Sequence, residues 1–231
     1  AAGGANLLAD DFNGLTSTAL EAQAAGGKRV DLLVDNAGFE LVTDLCLADF
    51  LVTSGVASSV VFRLKAHPTF VSDAMSKDLI GHVDALADLG DVTHAELSYP
   101  GCAALGQRWR RMIEEGKWVL HEDLFWAQPS ALWEMPDHLR GDFQAASGLT
   151  ITKGDANYRR LLGDRDWPLD TPFSDVVSYF PSPVCALRTL KAELGCGMLP
   201  SETARAAEED QSWMVNGKYG VVQFCKPDGP Q

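Results

Sequence analysis

Four stretches of this chain place polar side chains where an apolar run gives way to a helical pattern. In Arg29 to Leu41, RVDLLVDNAGFEL, the residues Val30, Leu32, Leu33 and Val34 read as a short strand buried on both faces, and the run stops at Asp35-Asn36 just before Gly38. Two hard oxygen donors at the carboxyl end of a parallel-type strand suit a divalent cation, and open α/β sheets bind ligands there. The competing reading is a turn in which both side chains bond to backbone. A second β-rich run, Ser58 to Lys65, leads to Asp73 in the neighbouring loop, which offers a third oxygen ligand. Alternatively Asp73 is an acid favoured by a helix N-terminus.

The other two stretches carry cations. Leu149 to Lys153 reads as a strand running into Gly154-Asp155-Ala156-Asn157-Tyr158-Arg159-Arg160-Leu161. A glycine that lets backbone N–H groups approach, a helix N-terminus and the Lys153 ammonium together suit an anion. Asp155 is placed there as a general acid or base; otherwise it caps the helix while Arg159 and Arg160 face solvent. Val184 to Leu187 ends in Arg188-Thr189-Leu190-Lys191, which would grip phosphate oxygens if that strand ends at the same sheet edge, the alternative being a surface turn. Six of the 19 basic residues (Lys153, Arg159, Arg160, Arg165, Arg188, Lys191) fall in this one segment of an acidic chain. A cation held by the acids beside a phosphate held by the bases implies metal-assisted phosphoryl chemistry. His67 reads as a loop residue outside that site.

These side chains need a sheet to hold them. Leu41, Leu45, Ala48 and Val52 are at helical spacing, so strand, helix and second strand imply a parallel pair with a right-handed crossover. Further helices are expected over Leu15–Ala25, Ser76–Leu89, Pro100–Glu115 and Ser201–Met214, and short strands over Trp118–His121 and Gly220–Phe224, the last closing the sheet. Arg108, Arg110 and Arg111 read as a solvated helix face, and Phe125, Trp126, Trp133 and Phe143 as packing under a long loop.

With 231 residues, 46% of them hydrophobic, the chain can bury a full core in one sizeable domain. We set residues 1–28 apart as the remnant of an N-terminal region or a linker, and 29–231 as a phosphatase α/β domain. A net charge of −13 and a pI near 4.7 argue against nucleic-acid binding. The five scattered cysteines lack a C-x-x-C pair and read as core residues of a reducing compartment, hence a cytoplasmic location. No apolar run is long enough to span a membrane, and no secretory signal opens the chain.

DNAGFEL at Asp35, HPTFVSD ending at Asp73, FW at Phe125, KGDANYRRL at Lys153, WP at Trp167, RTLK at Arg188 and WMVNGKYGVVQF at Trp213 together resemble the DUF89 family of metal-dependent damage-control phosphatases. The RTxK motif points to its subfamily III, which includes the acidic-residue methyltransferase (sugar phosphate phosphatase) proteins. The resemblance implies a three-layer α/β/α sandwich with a largely parallel, Rossmann-like sheet. It also implies Mn²⁺ or another divalent cation (Ni²⁺, Co²⁺, Mg²⁺) and hydrolysis of a small sugar phosphate such as fructose 1-phosphate or fructose 6-phosphate. The family's metal ligands fall on Asp35, Asn36 and Asp73, with Asp35 also catalytic, and its substrate-binding positions on Asp35, Asn36, Asp155, Ala156, Asn157, Tyr158, Arg159 and Lys191. Lys153 and Arg188 join the substrate set, and Asp155 the catalytic pair, from the residue reading itself. Family members carry an N-terminal helical region that helps wall the pocket and is mostly absent here.

Three other classes share features with this sequence. A haloacid-dehalogenase-type phosphatase needs a second Asp two residues after its nucleophile, and Ala37 stands there. A protein-glutamate carboxyl methyltransferase using S-adenosylmethionine has been attributed to the same family, but no strand here runs into a G-x-G loop for that cofactor. The third alternative is a truncated, non-catalytic sugar-phosphate-binding domain. The oligomeric state is not legible in the sequence.

Overall fold

The computed structural model describes residues 4–91 and 100–227. Its strands are β1 (Leu7–Asp10), β2 (Lys28–Leu33), β3 (Ala57–Lys65), β4 (Trp118–Asp123), β5 (Ser147–Lys153), β6 (Val184–Thr189) and β7 (Gly220–Cys225). Its helices are α1 (Phe12–Ala24), α2 (Phe39–Thr53), α3 (Ser76–Ala87), α4 (Pro100–Glu114), α5 (Asp137–Ala146), α6 (Asp155–Leu161), α7 (Phe173–Val177) and α8 (Pro200–Glu209). The strands form one seven-stranded sheet in the order β1-β7-β6-β5-β2-β3-β4. From β6 through β4 every pairing is parallel, while β7 runs antiparallel to β6 and β1 parallel to β7.

Two apolar clusters, one on each face, make the three layers. One joins Val30, Leu32 and Phe62 of the sheet to Leu41 and Leu45 of α2, Leu79 and Val83 of α3, and Trp109 of α4. The other joins Leu33, Val184 and Val221 to Phe143 of α5, Tyr158 and Leu161 of α6, and Val177 of α7. Strands buried on both faces explain why β2 reads as a continuous apolar run. The chain winds outward from β2 through β3 to β4 with helices on the first face, then returns to β5 and winds the other way with helices on the second. Right-handed crossovers in both directions require that exchange of faces. The strand order therefore reverses between β2 and β5, and the crevice at their carboxyl ends is the topological switch point where such sheets bind ligands.

Several expectations need correction. Residues 7–24, set apart with the N-terminal stretch, are built into the domain. Strand β1 hydrogen-bonds to β7, with Leu7 opposite Gly220, and Leu8 is buried in the second cluster. The first three residues of that stretch lie outside the described residues. Strand β7 does not close the sheet, because β1 lies beyond it. The helix expected to reach Met214 stops at Glu209, where Asp210 turns extended (φ −159, ψ 112). Three consecutive acids, Glu208 to Asp210, meet the negative end of the helix dipole there, which disfavours another turn. The apolar run of β2 also hides a charge: Asp31 is fully buried and accepts from Arg63 Nε at 2.8 Å and Arg29 Nε at 3.0 Å. Both arginines reach on to Asp142 of α5, with the Arg63 guanidinium 4.6 Å from the centre of the Phe143 ring, so the group clips α5 to the sheet. Among the described residues no helix is long and apolar enough to cross a membrane.

Candidate active site

At the switch point the ends of β2 and β5 are stitched together by one amide. Asn157 Nδ2 donates to the carbonyls of Leu33 (3.3 Å), Val34 (3.2 Å) and Lys153 (2.9 Å). Gly154 has φ +86, and a Cβ there would lie 1.9 Å from Asp35 Oδ2, so the Asp35 carboxylate occupies the space a side chain would fill. The sequence thus needs glycine at this position twice, for the backbone and for the close approach.

The loop after β3 is drawn onto the loop after β2. Asn36 and Asp73 form an isolated antiparallel bridge, and Ala74 N donates to Asp35 O at 3.0 Å. Asp73 closes its own loop by accepting from Thr69 N (2.7 Å) and Phe70 N (2.9 Å) on Oδ2. Its Oδ1 takes Lys65 Nζ at 2.7 Å, and the same ammonium lies 3.3 Å from Asp35 Oδ1. Asp35, Lys65 and Asp73 are all buried. Burial pushes the Asp35 carboxyl above its usual range; Lys65 opposes the shift, while Glu40 and Asp73 add to it. The Asn36 amide nitrogen faces the acids, donating to Asp35 Oδ2 (3.1 Å) and Glu40 Oε2 (3.0 Å), while its oxygen accepts from Ser72 Oγ (2.7 Å).

Beside this group Lys153 Nζ lies 2.7 Å from Asp44 Oδ1 and 3.5 Å from Glu40 Oε1. Burial works against its charge, yet the two acids overcome it and raise the ammonium's pKa. Burial likewise raises the Asp44 carboxyl, whose Oδ2 has no hydrogen-bond partner among the described residues. Asp155 heads α6, its Oδ1 accepting from Arg188 Nε at 2.7 Å and facing Lys191 N at 3.4 Å.

A cleft of about 760 Å³ opens over this edge, lined among others by Asp35, Asn36, Asp73, Lys153, Asp155 and Lys191. Ala156, Arg159 and Arg188 border it too, as do Leu7 and Gly220 at the starts of β1 and β7. Acids, amide and cations singled out from four separate stretches therefore meet at one place. Three of them are used otherwise than expected. Arg188 is buried over the Tyr158 ring, with its remaining donors on the carbonyls of Leu194 (2.7 Å) and Ala192 (3.0 Å), so it holds the 190–194 loop and Asp155 from beneath. Tyr158 points into the core, donating to Gln223 Oε1 at 2.7 Å, and burial pushes its phenol well up. Asn157 spends its amide on backbone. Arg159 stays at the cleft rim in a two-point pair with Asp164 (2.8 and 2.9 Å), while Arg160 is half-buried on the carbonyls of Ser130, Trp126 and Phe125, against the alternative that set it toward solvent. Burial lowers the Arg160 pKa to about 10.

Lys65, Glu40 and Asp44 were not singled out from the sequence. A lysine ending a strand one place along from Asp35 in the sheet, and acids at i and i+4 opening α2, were the available signals.

A doubly wound α/β domain with a polar cleft at its switch point belongs to the class that binds ligands at the carboxyl ends of its strands. Residues 2–206 match the family of the damage-control phosphatase ARMT1-like domain, and the chain belongs to that family. It is 37% identical to the damage-control phosphatase ARMT1 of Danio rerio over 97% of its own length and 50% of that protein's. It is 40% identical to the protein of that name from Rattus norvegicus over 87% of its length and 44% of that protein's. For Xenopus tropicalis the identity is 41%, over 85% and 44%. The chain thus spans about half the length of the curated relatives it matches.

Proposed function

We propose that this domain is the catalytic part of a metal-dependent phosphatase that hydrolyses small sugar phosphates, fructose 1-phosphate and fructose 6-phosphate among them. The observation carrying this reading is the pair of buried carboxylates, Asp35 and Asp73, with Asn36 between their loops, at a cleft that Lys191 also lines. Among the described residues no group of three His, Cys, Asp or Glu is disposed to hold a metal. A cation here would take its third protein donor from the Asn36 amide, after that amide turns its oxygen inward. Two carboxylates and an amide are hard oxygen donors, which fits Mn²⁺ or Mg²⁺. Asp35, Asn36 and Asp73 would hold the cation, which would polarise the phosphoryl group and lower the pKa of a bound water.

The chain's own residues supply the rest. Among the described residues Lys191 is a cleft cation with no carboxylate partner, which leaves its charge for a phosphate. Arg188 and the Lys191 N–H fix Oδ1 of Asp155, leaving Oδ2 to move a proton between water and the departing alcohol. The test is phosphate release from a panel of sugar phosphates, with Mn²⁺ and with chelator, by this chain and its Asp35→Asn variant. Release that needs metal and disappears with Asp35→Asn supports the reading; metal-independent release, or an active variant, contradicts it. Sugar-phosphate binding without turnover would favour the binding-only alternative.

A further inference from the structure

Beside the cleft lies a second cavity of about 320 Å³, between the Thr69–Asp73 loop, the Trp126–Pro129 turn and the start of α6. Phe70, Asp73, Ala156 and Arg159 line both compartments, so a ligand bound at Asp73 can extend from one into the other. Phe70, Trp126, Ala127 and Pro129 give the second a largely apolar wall, and the buried indole N–H of Trp126 has no hydrogen-bond partner among the described residues.

Charge distinguishes the two compartments. Every cation lining the second is committed: Lys65 to Asp35 and Asp73, Arg160 to three backbone carbonyls, Arg159 to Asp164. Asp164 has φ +54, the one positive-φ residue other than glycine among the described residues, and the same turn brings Asp164 N to Arg159 O at 2.7 Å. A local strain is thus accepted where Arg159 is neutralised. The cleft, by contrast, retains Lys191. A dianionic phosphoryl group gains from the cleft and loses beside Asp164, whereas an uncharged body gains from the apolar wall.

We propose that the second cavity is a subsite for the uncharged, ring-sized alcohol portion of a phosphate monoester whose phosphoryl group occupies the cleft, and that it disfavours a second phosphate. The proposal rests on the phosphatase reading for its substrate, but its test is read by binding. Calorimetry on the Mn²⁺-loaded chain would compare methylphosphonate, cyclohexylmethylphosphonate and the bis-phosphonate of the same ring, none of which can be hydrolysed. The ring compound is expected to bind about tenfold or more tighter than methylphosphonate, and the bis-phosphonate to lose that advantage. Gln128 is exposed on the cavity rim. Gln128→Trp, which fills the cavity, is expected to remove the ring advantage while methylphosphonate affinity stays within about twofold. Gln128→Arg is expected to restore bis-phosphonate binding. Equal affinities for the two monophosphonates in the unaltered chain, or a Gln128→Trp variant that weakens both alike, would overturn the subsite. A chain that shows the ring advantage but releases no phosphate from any ester would overturn the phosphatase reading and leave the subsite standing.

Discussion

Gly154 is where the two halves of the site touch, because the Asp35 carboxylate lies in the space its side chain would need. Gly154→Ala is expected to cost about 1–3 kcal/mol from the positive φ and to displace Asp35, lowering phosphate release by about 100-fold while the variant still melts cooperatively. A thermal melt beside a phosphate-release assay checks this, and full activity would remove Gly154 from the account. Lys191 acts differently, since its ammonium is uncommitted. Lys191→Ala is expected to raise KM for a phosphate ester by about tenfold with kcat little changed, as steady-state kinetics would show; an unaltered KM would sink its role. The meeting of Asp35, Asn36 and Asp73 was legible because strand ends expose whatever polar residues stand there. Lys65 was not, because a lysine closing a β-run looks the same whether it meets solvent or two buried acids. Nor could the sequence tell that Arg188 and Tyr158 would turn beneath the cleft, since that depends on the 190–194 loop folding back over them.

The elements fix the site by their order. β2, α2 and β3 were legible from an apolar run, a glycine turn and helical spacing, whereas β1 has four residues and gains its place only by pairing with a strand over two hundred residues away. The helix α5 was missed because its aromatic neighbourhood masked the pattern; Leu139 and Phe143 seat it in the core, and charge adds to that. The Arg29 and Arg63 guanidinium groups on Asp142 hold its carboxyl down at about 2, well below the ordinary value near 3.8. A carboxylate lowered on folding stabilises above its unfolded value and loses that contribution as pH falls toward its folded value. Because Asp142 is partly exposed, the contribution at neutral pH is about 1 kcal/mol, with roughly half gone by pH 3. Denaturant titrations of the chain and its Asp142→Asn variant should therefore differ at pH 7 and converge between pH 4 and pH 2. A gap that is constant across that range would mean Asp142 acts by packing alone.

At the scale of the whole molecule, a chain of net charge −13 repels an anionic substrate except where cations are gathered. The fold gathers them by winding in both directions from β2, so that bases from the second half of the chain arrive opposite acids from the first. On the reading proposed above, Asp35, Asn36 and Asp73 together bind one divalent cation. The most direct test is Mn²⁺ titration followed by electron paramagnetic resonance, where the free-ion signal falls as metal binds, on the folded chain and on Asp73→Asn. One bound Mn²⁺ per chain is expected, with an affinity lowered at least about tenfold in the variant. No binding by the folded chain, or equal binding by both proteins, would contradict it.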